Sequence, residues 1–235
     1  MVISAIKFRK YAANMVIAGL FALMLALTYM GGVMNVFSQN AYEPFYHGDV
    51  QKKNVSLMVN VYWGTEYLDD MIRIFAENEI QTTFFVGGTW AIKEDDMLKK
   101  IYDAGHEIGN HGYFHKSHDK IGEQGNRDEI LNTHNLVKEI LGIEMNLFAP
   151  PSGAFSEMTL KVAEGIGYKT IMWTKDTVDW RDKNTELIYE RAIKNERGGD
   201  FILMHPTKNT VEALDRIIKH YKQSGFCVTT VSECL

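Results

Sequence analysis

Short apolar runs alternate with stretches of helical periodicity from about residue 54 to the C-terminus, and this alternation narrows the possible folds more than any other feature. The runs expected as strands are Val55–Val61, Thr82–Val86, Glu107–Asn110, Leu147–Ala149, Lys169–Trp173, Phe201–Met204 and Phe226–Val231. Between them the periodicity predicts helices over Tyr67–Glu77, Asp95–Ala104, Arg127–Leu141, Ser156–Gly165, Thr185–Asn195 and Val211–Ser224. Gly105, Gly142, Gly167 and Gly225 each fall just past a helix, where a left-handed cap residue belongs. Seven strands with six intervening helices imply an α/β fold, either a parallel barrel or a doubly wound open sheet. No glycine-rich phosphate loop follows the first strand, so a nucleotide site has no support.

Charge is spread unevenly. Lys7, Arg9 and Lys10 make the N-terminal tip basic, and from Tyr11 to Tyr42 no residue is charged. Within that stretch Met15–Met34 is apolar apart from Thr28 and Tyr29, and about 20 such residues suffice for a helix to cross a bilayer. The run is longer than the apolar part of a signal peptide, and Gln39 and Asn40 suit a cleavage site poorly. The expectation is a single N-terminal transmembrane helix at residues 15–34, with the basic tip cytoplasmic and the C-terminal domain extracytoplasmic. The domains expected are a tip and anchor (1–37), a polar linker (38–53) and a folded domain (54–235). A net charge of −5 argues against nucleic acid as a partner, and 46% hydrophobic residues exclude wholesale disorder.

Chemistry-bearing residues cluster after the strands. Asn60–Gly64 close the first, His111 closes the third, and Pro150, Pro151 and Gly153 follow the fourth. Asp176, Asp179 and Trp180 follow the fifth, and His205 follows the sixth. In parallel barrels these ends form one face, where active sites are built. His111 and His115 are four apart; on one helical turn they would point the same way and bind one divalent metal, given a third ligand. His205 suits a general acid or base, with Asp179 the best carboxylate to orient it and Asp176 and Asp182 as rivals. Tyr62, Trp63, Trp173 and Trp180 suit either sugar rings at the mouth or a barrel core. Cys227 and Cys234 can pair outside a cell, while the strand position of Cys227 reads equally as core. His47, His106, His118, His134 and His220 read as linker, loop or helix-surface residues.

Taken together, TTFFVGG, GHEIGNHGYFH, APPSG, DTVDW and FILMH, in that order, resemble the NodB-homology polysaccharide deacetylases, carbohydrate esterase family four. The resemblance covers Asn54–Leu235 and implies a distorted (β/α)7 barrel that removes acetyl groups from N-acetylhexosamine polymers. Peptidoglycan is the favoured polymer, because the resemblance reaches proteins of Gram-positive cell walls. It further implies a divalent metal, zinc-like, held by an Asp and two His, with a second Asp as base. Here His111 and His115 match the metal ligands, and His205 matches the acid that protonates the leaving amine. Asp179 and Trp180 match the element that orients this acid, Leu203 the wall for the acetyl methyl, and Pro150 and Pro151 the substrate-binding third motif.

Two motifs depart from the family. Where it has roughly TFDDG, this chain reads MVNVYWG, so Asn60 stands at the base position and Val61 at the metal Asp. An amide takes no proton near neutral pH, and a valine binds no ion. Ala149 replaces the Arg that orients the base, so the carboxylate and its cationic partner are absent together. Three readings follow. One is an esterase in which Glu66 replaces the lost carboxylate, and another is a glycan-binding or regulatory wall module without hydrolysis. The third is a plain structural ectodomain.

Overall fold

In the computed structural model, which describes residues 14–26 and 42–235, the two stretches fall into separate units. Residues 14–26 form an exposed helix. The expected span at 15–34 extends past it, outside the described residues. Among the described residues no helix is long and apolar enough to cross a membrane.

The second unit is built on strands β1 (Asn54–Val61), β2 (Thr83–Val86), β3 (Glu107–Asn110), β4 (Leu147–Phe148), β5 (Lys169–Thr170), β6 (Lys175–Asp176), β7 (Phe201–Met204) and β8 (Cys227–Val228). Seven lie side by side in the order β5-β4-β3-β2-β1-β7-β6, and β8 pairs with the start of β1. All these pairings are parallel, so the sheet curls as an open half-barrel of the expected (β/α)7 kind, without a β5–β6 pairing to close it. The expected strand Lys169–Trp173 is the main difference. It stops at Thr170, and the chain re-enters the sheet as β6 on the opposite edge. Ile171 instead bridges Phe45. That bridge belongs to a strap: the residues from 42 onward, expected as linker, pack on the domain through Phe45 N–H to the Thr170 carbonyl, Gly48 N–H to Gly199 and Asp49 N–H to Cys234.

Strand alternation creates two cores. Leu57, Val59 and Val61 of β1, with Phe84 and Val86 of β2 and Ile202 and Met204 of β7, face the outer layer beneath the helices. Met58, Phe85 and Phe201 face the interior with Leu147, Ala149 and Ile171. The helices supply matching stripes. In Leu68–Glu77 the buried residues Leu68, Met71, Ile72 and Phe75 follow the helical repeat, and Asp69 and Asp70 occupy the first turn, where negative charge suits the helix dipole. The helix Lys208–Gln223 begins at Thr207, whose hydroxyl accepts from Thr210 N–H at 3.0 Å, and is followed by Gly225 at φ +80°. Burying a side chain such as Leu or Phe contributes about 1.5–3 kcal/mol, so the doubled core is ample for a domain of this size.

Both cysteines are free, and neither open reading of Cys227 describes it: Cys227 is exposed on β8, while Cys234 is buried in the last helix, Val231–Cys234. His106 and His118 are buried rather than superficial. His106 accepts Thr82 N–H at 3.2 Å between Phe75 and Phe84, and burial lowers its pKa to about 4.

Candidate functional site: a histidine and tryptophan cavity

The strand C-terminal ends open into a cavity of about 440 Å³. Asn60, Tyr62 and Trp63 come from the end of β1, His111 and His115 from the loop after β3, and Ser152 and Trp173 from those after β4 and β5. Asp176 ends β6, Trp180 follows it, and Leu203 and His205 come from the end of β7. All four aromatic residues proposed for the mouth line the cavity. Pro150 and Pro151 do not; Ser152, held at φ +56°, takes the third motif's place in the wall. Glu66 is exposed in the short turn Thr65–Tyr67 outside the lining, so it offers the cavity no replacement carboxylate.

One side of the cavity is a hydrogen-bonded His205–Asp179 pair. His205 Nδ1 donates to Asp179 Oδ1 at 2.8 Å, and a carboxylate accepts only, so Nε2 is left as the free ring nitrogen. Asp179 Oδ2 also accepts the His205 backbone N–H at 2.7 Å and the Thr210 hydroxyl at 2.6 Å. Three charge-assisted bonds thus hold a carboxylate that is 4% exposed. The rivals are engaged elsewhere: Asp182 pairs with Arg181 and Arg191, and Asp176 Oδ1 accepts Val178 N–H at 2.8 Å. Trp63 lies parallel to the His205 ring, with centroids 5.8 Å apart. The approach depends on Gly64 at φ +80°, where a β-carbon would collide with Pro206.

The other side carries the two remaining imidazoles. They sit in a loop rather than on a helical turn, with Gly112 at φ +72° and His115 at φ +55°, yet the rings still meet at 5.1 Å. His111 Nδ1 donates to the Ala149 carbonyl at 2.8 Å, so its Nε2 carries a lone pair. Burial and the neighbouring His115 lower the His111 pKa to about 3, and burial lowers that of His115 as well.

Sequence reading missed what holds this loop. Glu129, on the helix Gly122–Leu141, is 2% exposed, and its Oε2 accepts Tyr113 N–H at 2.9 Å and Phe114 N–H at 2.8 Å. Lys116 lies 3.3 Å from Oε1. His118 donates from Nδ1 to Asn126 beside the same loop. The available signal was Glu129 at four and eight residues before the buried Thr133 and Val137, a carboxylate on the helix's buried face.

This side does not make up a metal site. Catalytic zinc takes three protein ligands, and among the described residues no three His, Cys, Asp or Glu side chains converge as such a set. The cause lies in β1. The strand stays extended through Val61, which pairs with Val86, so Asn60 turns to the cavity and Val61 to the outer core. Asn60 Oδ1 is buried without a hydrogen-bond partner, and Ala149 is fully buried in the interior core, where no cation accompanies it. Two imidazoles and a neutral amide do not fit the ion expected from the sequence.

Comparison with known proteins is consistent with this geometry. The polysaccharide deacetylase family profile matches residues 47–171. The uncharacterized protein YlxY of Bacillus subtilis is 35% identical over 193 residues, covering 82% of this chain; the chain spans 60% of that relative's length. The peptidoglycan-N-acetylmuramic acid deacetylase PdaA of the same organism is 29% identical over 83% of this chain and 76% of its own length. A solved CE4 family pseudoenzyme from Bacillus anthracis superposes with a TM-score of 0.80 at 35% identity, covering 83% of this chain and 69% of its own. A mutant of that pseudoenzyme with restored enzymatic activity is similar to the same degree, with a TM-score of 0.80 at 34% identity. By fold, motif order and matched sequence, the chain belongs to the polysaccharide deacetylase family.

Proposed function

We propose that this protein binds hexosamine glycan of the cell wall, peptidoglycan above all, in a deacetylase cavity whose hydrolytic half is missing. The observation that carries the reading is the split at the end of β1: Asn60 enters the cavity as a neutral amide while Val61 is folded into the core. The end of β1 supplies no carboxylate to take a proton from water, whereas the aromatic walls that suit a sugar ring remain. The pseudoenzyme among the similar structures supports this reading, and PdaA's name supports peptidoglycan as the polymer. The uncharged stretch at 15–34 supports anchorage in the cell membrane with the domain outside, a placement that protease treatment of intact protoplasts tests.

A second reading, metal-dependent hydrolysis of N-acetyl groups, has one specific observation in its favour. The His205–Asp179–Thr210 arrangement keeps imidazole Nε2 free to hand a proton to a leaving amine. In that reading His205 acts as the acid, Trp63 and Trp180 hold the sugar, and Leu203 receives the acetyl methyl. Acetate release and binding, measured on one preparation with N-acetylglucosamine oligosaccharides and peptidoglycan fragments, separate the two. Binding without acetate supports the first reading. Acetate release that His205→Ala abolishes replaces it with the second.

A further inference from the structure

The polar groups of the cavity carry one charge. Among the lining residues Asp176 is the sole carboxylate, and neither Lys nor Arg is present. Asp176 makes no ion pair among the described residues; one oxygen is held by Val178 N–H. Arg181 lies near enough to feel its charge, but its guanidinium is committed to Asp182 at 2.8 and 3.0 Å. His111 and His205 each donate from Nδ1 to a protein oxygen, so each turns an Nε2 lone pair toward ligand. Trp63 and Trp180 are 44% and 56% exposed, and with Trp173 they line the same space, Trp63 stacked on His205 and Trp180 beneath Arg181.

The neutral lining groups, Asn60, Ser152 and the imidazoles among them, can hydrogen-bond an acetamido group or an amine alike, so the charge of Asp176 is what tells the two apart. An ammonium has three N–H donors and no acceptor, and it is attracted by a carboxylate and by indole faces. Resting on the reading that the cavity binds a hexosamine glycan, we propose that it selects units whose amine is free, as an ammonium, over N-acetylated ones. Asp176 receives the ammonium, and Trp63, Trp173 and Trp180 line the space for its sugar ring. A ligand of this kind is supplied by hydrolysis of the amide of N-acetylhexosamine units, so the domain would report where that reaction has taken place.

The test is calorimetric titration of the full-length chain with two tetrasaccharides, one of N-acetylglucosamine and one of glucosamine. Salt of about 0.15 M screens attraction between ligand and the acidic surface. The expected result is at least tenfold tighter binding of the glucosamine oligomer. Asp176→Asn keeps an oxygen for Val178 and removes the charge, and it is expected to erase that preference while leaving the N-acetylated oligomer's affinity in place. Asp96→Asn, on the exposed start of the helix Asp95–Asp103, is expected to change neither affinity. Equal or tighter binding of the N-acetylated oligomer overturns the selectivity while the glycan-binding reading stands. A preference lost equally in Asp96→Asn overturns it too, as general surface attraction. Binding of neither oligomer removes both.

Discussion

The two sides of the cavity have kept different things. On the His205 side each polar group has its partner: one carboxylate accepts from a ring nitrogen, a backbone amide and a hydroxyl. On the His111 side the imidazoles are well placed by Ala149 and Glu129, but the end of β1 beside them offers an amide and a valine rather than a carboxylate. A buried carboxylate stripped of its partner is costly, whereas removing carboxylate and cation together is nearly neutral. With Ala149, Asn60 and Val61 at these positions no buried charge among the described residues is left without a partner, and the unpartnered atoms nearby are the neutral Asn60 Oδ1 and His118 Nε2. Gly87 makes room for the Tyr62 ring and Gly64 for Pro206, so the aromatic loop after β1 is fitted into its surroundings.

The comparison can be broken most sharply at Val61. Val61→Asp puts a carboxylate into the outer core and is expected to cost more than about 4 kcal/mol in urea unfolding. Full recovery with zinc would show that the strand end can turn the new group toward the imidazoles, against the division drawn here. Acidification comes next. His111 titrates at about 3 and His106 at about 4 when folded, both below the unfolded value of about 6.5. Lowered folded values mean that the unfolded chain binds more protons, so the stabilisation is present above about pH 6.5 and is lost as pH falls toward the folded values. From pH 7 to 5 these two groups together are expected to cost about 3–4 kcal/mol, and His111→Asn to reduce that acid sensitivity. A urea midpoint that stays flat across this range contradicts the neutral, buried state of the imidazoles.

Asp179→Ala frees three donors at once and is expected to destabilise by about 3 kcal/mol, with Asp179→Asn intermediate. Glu129→Gln is expected to cost about 1–2 kcal/mol, because the amide oxygen still accepts from the loop while the charge beside Lys116 is gone. It should weaken oligosaccharide binding more than Trp90→Phe, a change outside the cavity. Trp63→Ala, at an exposed position, is expected to change stability by less than about 1 kcal/mol yet to weaken glycan binding about tenfold.

Much of this was legible in the residues. β3 and β7 have the expected bounds, and the caps at Gly105, Gly142, Gly167 and Gly225 all lie at positive φ. The alternation that defines the fold is local, so sequence carries it. The apolar run from Lys169 to Trp173 misled because it satisfies strand periodicity, whereas a partner from residue 45 and a return on the opposite edge are non-local facts. His111, His115, His205 and Asp179 were found because their order along the chain is distinctive. Glu129 and His118 escaped because their role is to hold another segment, which only packing reveals. Glu66 was raised as a possible replacement because it is near in sequence; it lies in the exposed turn Thr65–Tyr67, outside the cavity lining.

The most direct test of the account is zinc stoichiometry of the full-length folded protein after loading and dialysis, read by elemental analysis beside a thermal melt. Two imidazoles with an amide and a valine should retain far less than one zinc per chain and melt at the same temperature with or without the ion. One zinc retained per chain, with a raised melting temperature that His111→Ala abolishes, would contradict the central claim.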